Sequence, residues 1–308
     1  MLIERTRHRK FLELCAWMVL FSGCHRAVHS DQEHRETLLG VNHVLHGKIY
    51  DVRHKRFTTS LELFSKLKHT PYLLLGEKHD NVDHHRLHAR VIASLPKTEA
   101  IVLEMLSLDK ADRVHKTQEE ADFQVASDWD KSGWPDYVMY RPKIKAIYAH
   151  QLRPGAAHPT RTSVFKAMKD PNVGLGSPLT QTEMQTLSLA IDRAHCGHLK
   201  SKMVKIMMRA QMYKDKTMAH ELIKQTAGGR GILIAGNTHL RSDYGVPKYL
   251  NNSTSLVFIE VQDERVKATA YDIEQYDYVW FTKRADDEDP CKKFESQLRR
   301  IRSSPHHK

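Results

Sequence analysis

Apolar positions in this chain fall into short unbroken runs, separated by longer stretches with helical spacing. Residues 72–75, 100–105 and 231–235 are nearly continuous apolar segments of strand length. Runs of this kind predict strands buried on both faces of a sheet. Further strands are expected at 46–52, 255–261 and 266–271. Residues 58–68 predict a short helix. A longer helix should start with Asp80 as its N-cap and run to Ser94, with Pro96 beyond its end. Strand, helix, strand over 72–105 implies a parallel pair joined by a crossover helix. Residues 108–150 read as helices interrupted at Trp129, Gly133-Trp134-Pro135 and Arg141-Pro142. Residues 151–180 are rich in proline and glycine and read as loops and short pieces. Two long helices split near Cys196-Gly197 are expected over 181–226. The fold class that follows is α/β, with a central, mainly parallel sheet flanked by helices and a mainly helical insertion at about 108–226.

One pattern occurs twice. Leu73-Leu74-Leu75-Gly76-Glu77-Lys78-His79 is an apolar run, a glycine, two residues and a histidine, and Leu233-Ile234-Ala235-Gly236-Asn237-Thr238-His239 repeats it. In open α/β sheets ligands bind in the crevice beyond the strand C-termini. Two histidines delivered there by matching turns suggest one composite site, joined by the turn after the 100–105 strand.

The N-terminus changes the picture of where the chain works. Arg5, Arg7, Arg9 and Lys10 precede an apolar stretch, Phe11 to Phe21, and then Ser22-Gly23-Cys24. A basic start, a short apolar core and small residues before a cleavage point read as a secretory signal. The stretch is short for a membrane span. Cys24 after Ser-Gly resembles a lipoprotein box, in which the cysteine is lipidated. The expected organisation is a signal segment at 1–24, a polar tether at 25–45, one domain at 46–285 and a charged tail at 286–308. With Cys15 and Cys24 in the leader, the body keeps Cys196 and Cys291, as one disulfide or two thiols. No CxxC pair offers a thiolate zinc site.

The chain carries 48 Lys and Arg against 37 Asp and Glu, a formal charge of +11, and 21 histidines besides. This charge is spread along the chain without a long basic run. No RRM, zinc-finger or basic-zipper signature accompanies it, so nucleic acid is set aside as a partner. An anionic ligand fits the balance.

Glu77 and His79 are two apart and face one side of an extended segment. His84 and His85 stand near the start of the next helix, where its dipole favours neutral imidazole. His84 and His88 share a helix face, as metal-binding pairs do. Glu104 ends an apolar strand, so its carboxylate needs a partner. That partner is either the site or an arginine such as Arg161. Asn237 and His239 mirror Glu77 and His79. Glu77, His79, Glu104 and His239 could together hold a divalent metal or orient acid–base chemistry. No HExxH helix or serine elbow is present. Tyr137 and Tyr140 lie in a segment that clusters aromatics with Arg141, and could ligate haem iron. The methionines at 203–218 read first as adaptable core.

With these residues in view, the chain resembles the ChaN-like family of haem-binding lipoproteins in the Tiki-related superfamily. The resemblance rests on Leu74 to Asp80 with His84-His85, Leu103-Glu104-Met105, Gly133-Trp134-Pro135 and Ala156 to Arg161. It continues through His195-Cys196-Gly197, Gln211, Asp215, Met218-Ala219 and Ala235 to His239, then Gly245-Val246-Pro247, Asp277 to Thr282 and Asp289-Pro290-Cys291. It implies an α/β fold, haem binding in iron uptake, and lipid attachment to the outer membrane facing the periplasm. His25 after Cys24 is consistent with that sorting. Haem contacts are expected from among Tyr137, Tyr140, Arg161, His84, His85 and Asn237, with haem-transport components as partners and, if an apolar face is left open, a homodimer around haem. The family more often has glycine at Thr238 and glutamine at His88. The wider superfamily includes metal-dependent hydrolases, which keeps Glu77, His79, Glu104 and His239 as an alternative catalytic set.

Overall fold

The structure is a computed structural model that describes residues 38–173, 177–293 and 295–296. The leader with Cys24 and the end of the tail lie outside the described residues. Eight strands form one sheet: β1 (Ile49–Asp51), β2 (Arg56–Thr58), β3 (Tyr72–Glu77), β4 (Ala100–Ser107), β5 (Gly155–His158), β6 (Gly231–Gly236), β7 (Ser253–Glu260) and β8 (Tyr278–Thr282). Their order is β2-β1-β8-β7-β3-β6-β4-β5. All pairs from β8 to β5 are parallel, and β1 alone among these strands runs the other way, pairing antiparallel with both β8 and β2.

The central strands are apolar along most of their length because both faces are covered. Successive side chains point to opposite faces, and the core divides accordingly. Leu73 and Leu75, Ile101 and Leu103, and Ile232 and Ile234 enter one cluster. Leu74, Val102, Leu233 and Ala235 enter the other. The main helices are α1 (Ser60–Leu67), α2 (Val82–Ser94), α3 (Tyr137–Ala149), α4 (Arg161–Lys169), α5 (Gln181–Ala194) and α6 (Ser201–Thr226). The first cluster is roofed by Leu63 and Leu67 of α1, Val91 and Ile92 of α2, and Tyr140, Ile144 and Ile147 of α3. Met218, Ala219 and Leu222 of α6 close the second. Met207, Met208 and Met212 pack with Leu187, Leu199 and Tyr244 in a satellite core, so the methionine stripe is packing.

Several elements differ from their expected form. The segment at 151–180 contributes an edge strand, β5, and the helix α4. The first strand is confined to Ile49–Asp51 and returns as a hairpin. Residues 266–271 form no strand. They carry a single 3-10 turn at Ala268–Ala270, and Tyr278–Thr282 takes the place in the sheet beside β7. Asn81 rather than Asp80 caps α2, its side chain accepting from the Asp83 amide at 2.9 Å. Part of the expected tether belongs to the domain, since Leu45 is buried in the core and Leu39 pairs with Arg284. Cys196 and Cys291 form a disulfide. Among the described residues no helix is long and apolar enough to cross a membrane.

Candidate functional site

The two echoed turns meet side by side. β3 and β6 are paired in register with Glu77 opposite Gly236, and β4 flanks β6 on its other side. The three strand ends therefore bring Glu77, His79, Glu104 and His239 into one crevice.

Their side chains form a nearly continuous alternation of carboxylate and imidazole. Asp215, from α6, pairs with Nδ1 of His239. Nε2 of His239 lies 3.1 Å from Oε1 of Glu104. The other oxygen of Glu104 accepts the Gly236 amide at 2.7 Å and lies 3.7 Å from Nε2 of His79. His79 then donates through Nδ1 to Oε1 of Glu77 at 2.9 Å. Glu77 finally pairs with the buried ammonium of Lys143 on α3.

This chain of pairs decides the charge states. Burial alone would raise the Glu104 carboxyl, but the His239, His79 and Lys214 charges hold it well below the usual range. Burial opposes the charge on Glu77 too, and the Lys143 ammonium outweighs it. His239 is also disfavoured as a cation by burial, yet Glu104 and Asp215 push it up to about 9. His158, at the end of β5, is pushed down to about 4 by burial and by Lys214. Its Nδ1 donates to the Pro159 carbonyl, and its Nε2 has no protein partner. His79 reaches the mouth of the crevice. Its side chain is 12% exposed against 6% for His239, and the Trp134 ring lies 4.7 Å from its own.

The profile of a family described as haem-binding uptake, Tiki superfamily, ChaN, matches residues 63–250. The chain belongs to the ChaN family. Among solved structures it resembles ChaN of Campylobacter jejuni, whose structure is described as cofacial heme binding. That likeness has 20% identity and a TM-score of 0.63, and covers 75% of this chain and 95% of that one. At this identity it establishes the shared fold. A fainter likeness is to the type III effector HopBA1, with 11% identity, a TM-score of 0.44, and coverage of 72% of this chain and 92% of that one. A search of curated proteins found no match.

In this ChaN-family chain the other residues singled out in the sequence are placed differently from the crevice four. Tyr137 is buried, and its hydroxyl donates to Glu120 at 2.6 Å. Tyr140 is fully buried beneath the crevice, and its hydroxyl donates to the His79 carbonyl at 3.0 Å. Both phenols are thus engaged in packing rather than presented at the mouth. His84 accepts the Lys78 amide at 2.8 Å, which leaves its Nε2–H to donate to Thr282 at 2.8 Å, so it ties α2 to β8. His85 and His88, not His84 and His88, turn together toward Glu77. Asn237 holds the Phe258 carbonyl through its amide at 2.7 Å. Arg161 opens α4 with its side chain exposed and its guanidinium 5.5 Å from the Phe165 ring. Glu104 pairs with His239 and the Gly236 amide.

Lys143, Asp215 and His158 complete the cluster and were not among the residues expected there. A signal for the first two exists. Lys143 shares a helical stripe with Tyr140, Ile144 and Ile147, and Asp215 shares one with Met218, Ala219 and Leu222. A charge inside a buried stripe needs a partner.

Gly76, the first of the echo glycines, is required by space. A Cβ on Gly76 would lie 2.2 Å from Oδ1 of Asn237 and 2.7 Å from Cγ1 of Val257. Gly76→Ala is therefore expected to destabilise the fold by about 1–3 kcal/mol through overpacking, measured by urea denaturation. A loss below a few tenths would show that Asn237 and Val257 simply move aside.

Proposed function

We propose that this chain binds haem as cargo at the crevice mouth and takes part in haem or iron acquisition, as an envelope lipoprotein facing the periplasm. The observation that carries this reading is the family match, whose span of 63–250 includes all four crevice residues. The geometry supports it. His79 is the more exposed imidazole of the crevice pair. The carboxylate on its Nδ1 is the partner that orients iron-ligating histidines and raises their basicity. Trp134 beside it offers an aromatic flank, and Arg161 is a cation suited to a propionate. The net charge of +11 favours a dianionic porphyrin. A disulfide in the body suits an oxidising compartment, and the leader ending at Cys24 suits a lipid anchor. A homodimer closing around haem and a hand-over to transport components belong to the same proposal.

A metal-dependent hydrolase is the less favoured reading. Glu77 and Glu104, the carboxylates it would use, are already balanced by Lys143 and His239.

Hemin titrated into the purified mature domain should give a saturable shift of the Soret band. His79→Ala should weaken binding about 10- to 100-fold and alter the band. No shift at stoichiometric hemin would remove the proposal. An unchanged band in His79→Ala would assign the iron to another ligand.

A further inference from the structure

Glu77 has an inner side that faces away from the crevice. There α2 turns His85 and His88 onto one carboxylate oxygen. Each ring donates its Nε2–H to a backbone carbonyl, His85 to His79 and His88 to Gly76, both at 3.0 Å. Burial disfavours the charged form of both rings. A neutral imidazole that donates from Nε2 keeps a bare lone pair on Nδ1. Those two Nδ1 atoms lie 3.4 and 3.2 Å from Oε2 of Glu77 and have no hydrogen-bond partner.

Three acceptors face one another here, with all three atoms within 4.8 Å of each other and buried. Acceptors so placed repel unless a cation stands among them. Two imidazoles anchored by carbonyls plus one carboxylate form the donor set and outer shell of a divalent metal such as zinc. The cation the chain brings to this carboxylate is the Lys143 ammonium. It is fully buried, bonded to the same Oε2, and 4.3 Å from the Tyr140 ring centre.

We propose that Glu77, His85 and His88 form a divalent-cation site in which the Lys143 ammonium, held on Oε2 of Glu77, stands in for the metal's charge. Lys143 is then a positioning residue. By fixing one oxygen of Glu77 it leaves the other to orient His79, and the cluster holds its shape without a metal. The proposal rests on this inner geometry and is independent of haem binding.

The test titrates Co²⁺ alone, then Zn²⁺ alone, into wild type, Lys143→Met and Lys143→Arg. Lys143→Met should melt roughly 10 °C below wild type, bind one cobalt per chain with visible d–d bands, and recover its melting temperature with zinc. Adding His88→Ala or Glu77→Gln to Lys143→Met should abolish that cobalt spectrum. Lys143→Arg keeps the cation and should show none. Three results would overturn the proposal. The first is a stoichiometric cobalt spectrum in wild type that His88→Ala removes, since lysine would then not be standing in for the metal. The second is folded Lys143→Met that binds no cobalt at millimolar concentration. The third is Lys143→Met that stays unfolded with or without zinc while Lys143→Arg folds, because zinc is expected to replace the ammonium.

Discussion

Glu104→Ala is expected to destabilise the folded chain by about 3–5 kcal/mol, the usual cost of breaking a buried ion pair from one side. Glu104 is buried and touches three groups: the Gly236 amide, the His239 imidazole and, at longer range, His79. Removing it strands a buried amide and leaves His239 with Asp215 as its remaining carboxylate partner among the described residues. It also severs the Glu104 link between the Asp215–His239 half of the cluster and the His79–Glu77 half. Glu104→Gln should lose less, because the amide can still accept from Gly236 while giving up the charge. Denaturant titrations at pH 6 would measure both.

The same pair makes a pH prediction. His239 has a folded pKa of about 9 against an ordinary 6.5. A group whose pKa is raised by folding stabilises fully below the lower value and loses that contribution as pH climbs through the upper one. Wild-type stability should therefore decline between pH 6.5 and 9. Glu104 acts in the opposite direction. Its depressed pKa gives stability that is present above its ordinary 4.5 and lost in acid. In Glu104→Ala the alkaline decline should be much smaller, since its main cause is gone. A variant that loses under 1 kcal/mol at pH 6, or that keeps the full wild-type decline to pH 9, would show that Glu104 is not what charges His239.

The parts of this arrangement visible in the sequence are those carried by period and turn chemistry. β3, β4 and β6 are nearly unbroken apolar runs because both faces of the sheet are covered. The Gly-x-x-His echo survives folding because β3 and β6 are neighbours in register, so Glu77, His79, Glu104 and His239 meet as expected. What escaped depends on tertiary partners. Lys143 and Asp215 are single charges in helical stripes, and nothing local says which carboxylate or imidazole waits opposite. His84, His85 and His88 spread over about 100° of the helix circumference, and only the packing of α2 on β3 selects the last two for Glu77. Tyr137 and Tyr140 sit at aromatic positions that suit a haem lip as well as a core, and the roof over the sheet took them. β5 is four residues between prolines, held at the edge by β4 alone. Residues 266–271 alternate as a strand would, but the more apolar Tyr278–Thr282 occupies the place beside β7.

Reduction of the Cys196–Cys291 disulfide is expected to cost about 4–5 kcal/mol on the chain-entropy view. The two cysteines are 95 residues apart. The loop they close contains α6 and strands β6, β7 and β8, so it includes the centre of the sheet and the Asp215–His239 pair. Releasing it should therefore lower the stability of the whole domain, with a fall in melting temperature of roughly 10 °C or more. Cys291 is exposed and Cys196 partly so, which leaves the bridge open to a reductant without prior unfolding. Thermal melts with and without dithiothreitol, and of a Cys196→Ser/Cys291→Ser variant, would measure the effect. Agreement between the two would assign it to the bridge. A shift under about 2 °C in both would mean that the bridge fastens only the terminal segment. If the large shift is found, the chain depends on an oxidising compartment for stability, which is an argument for export that does not use the leader at all.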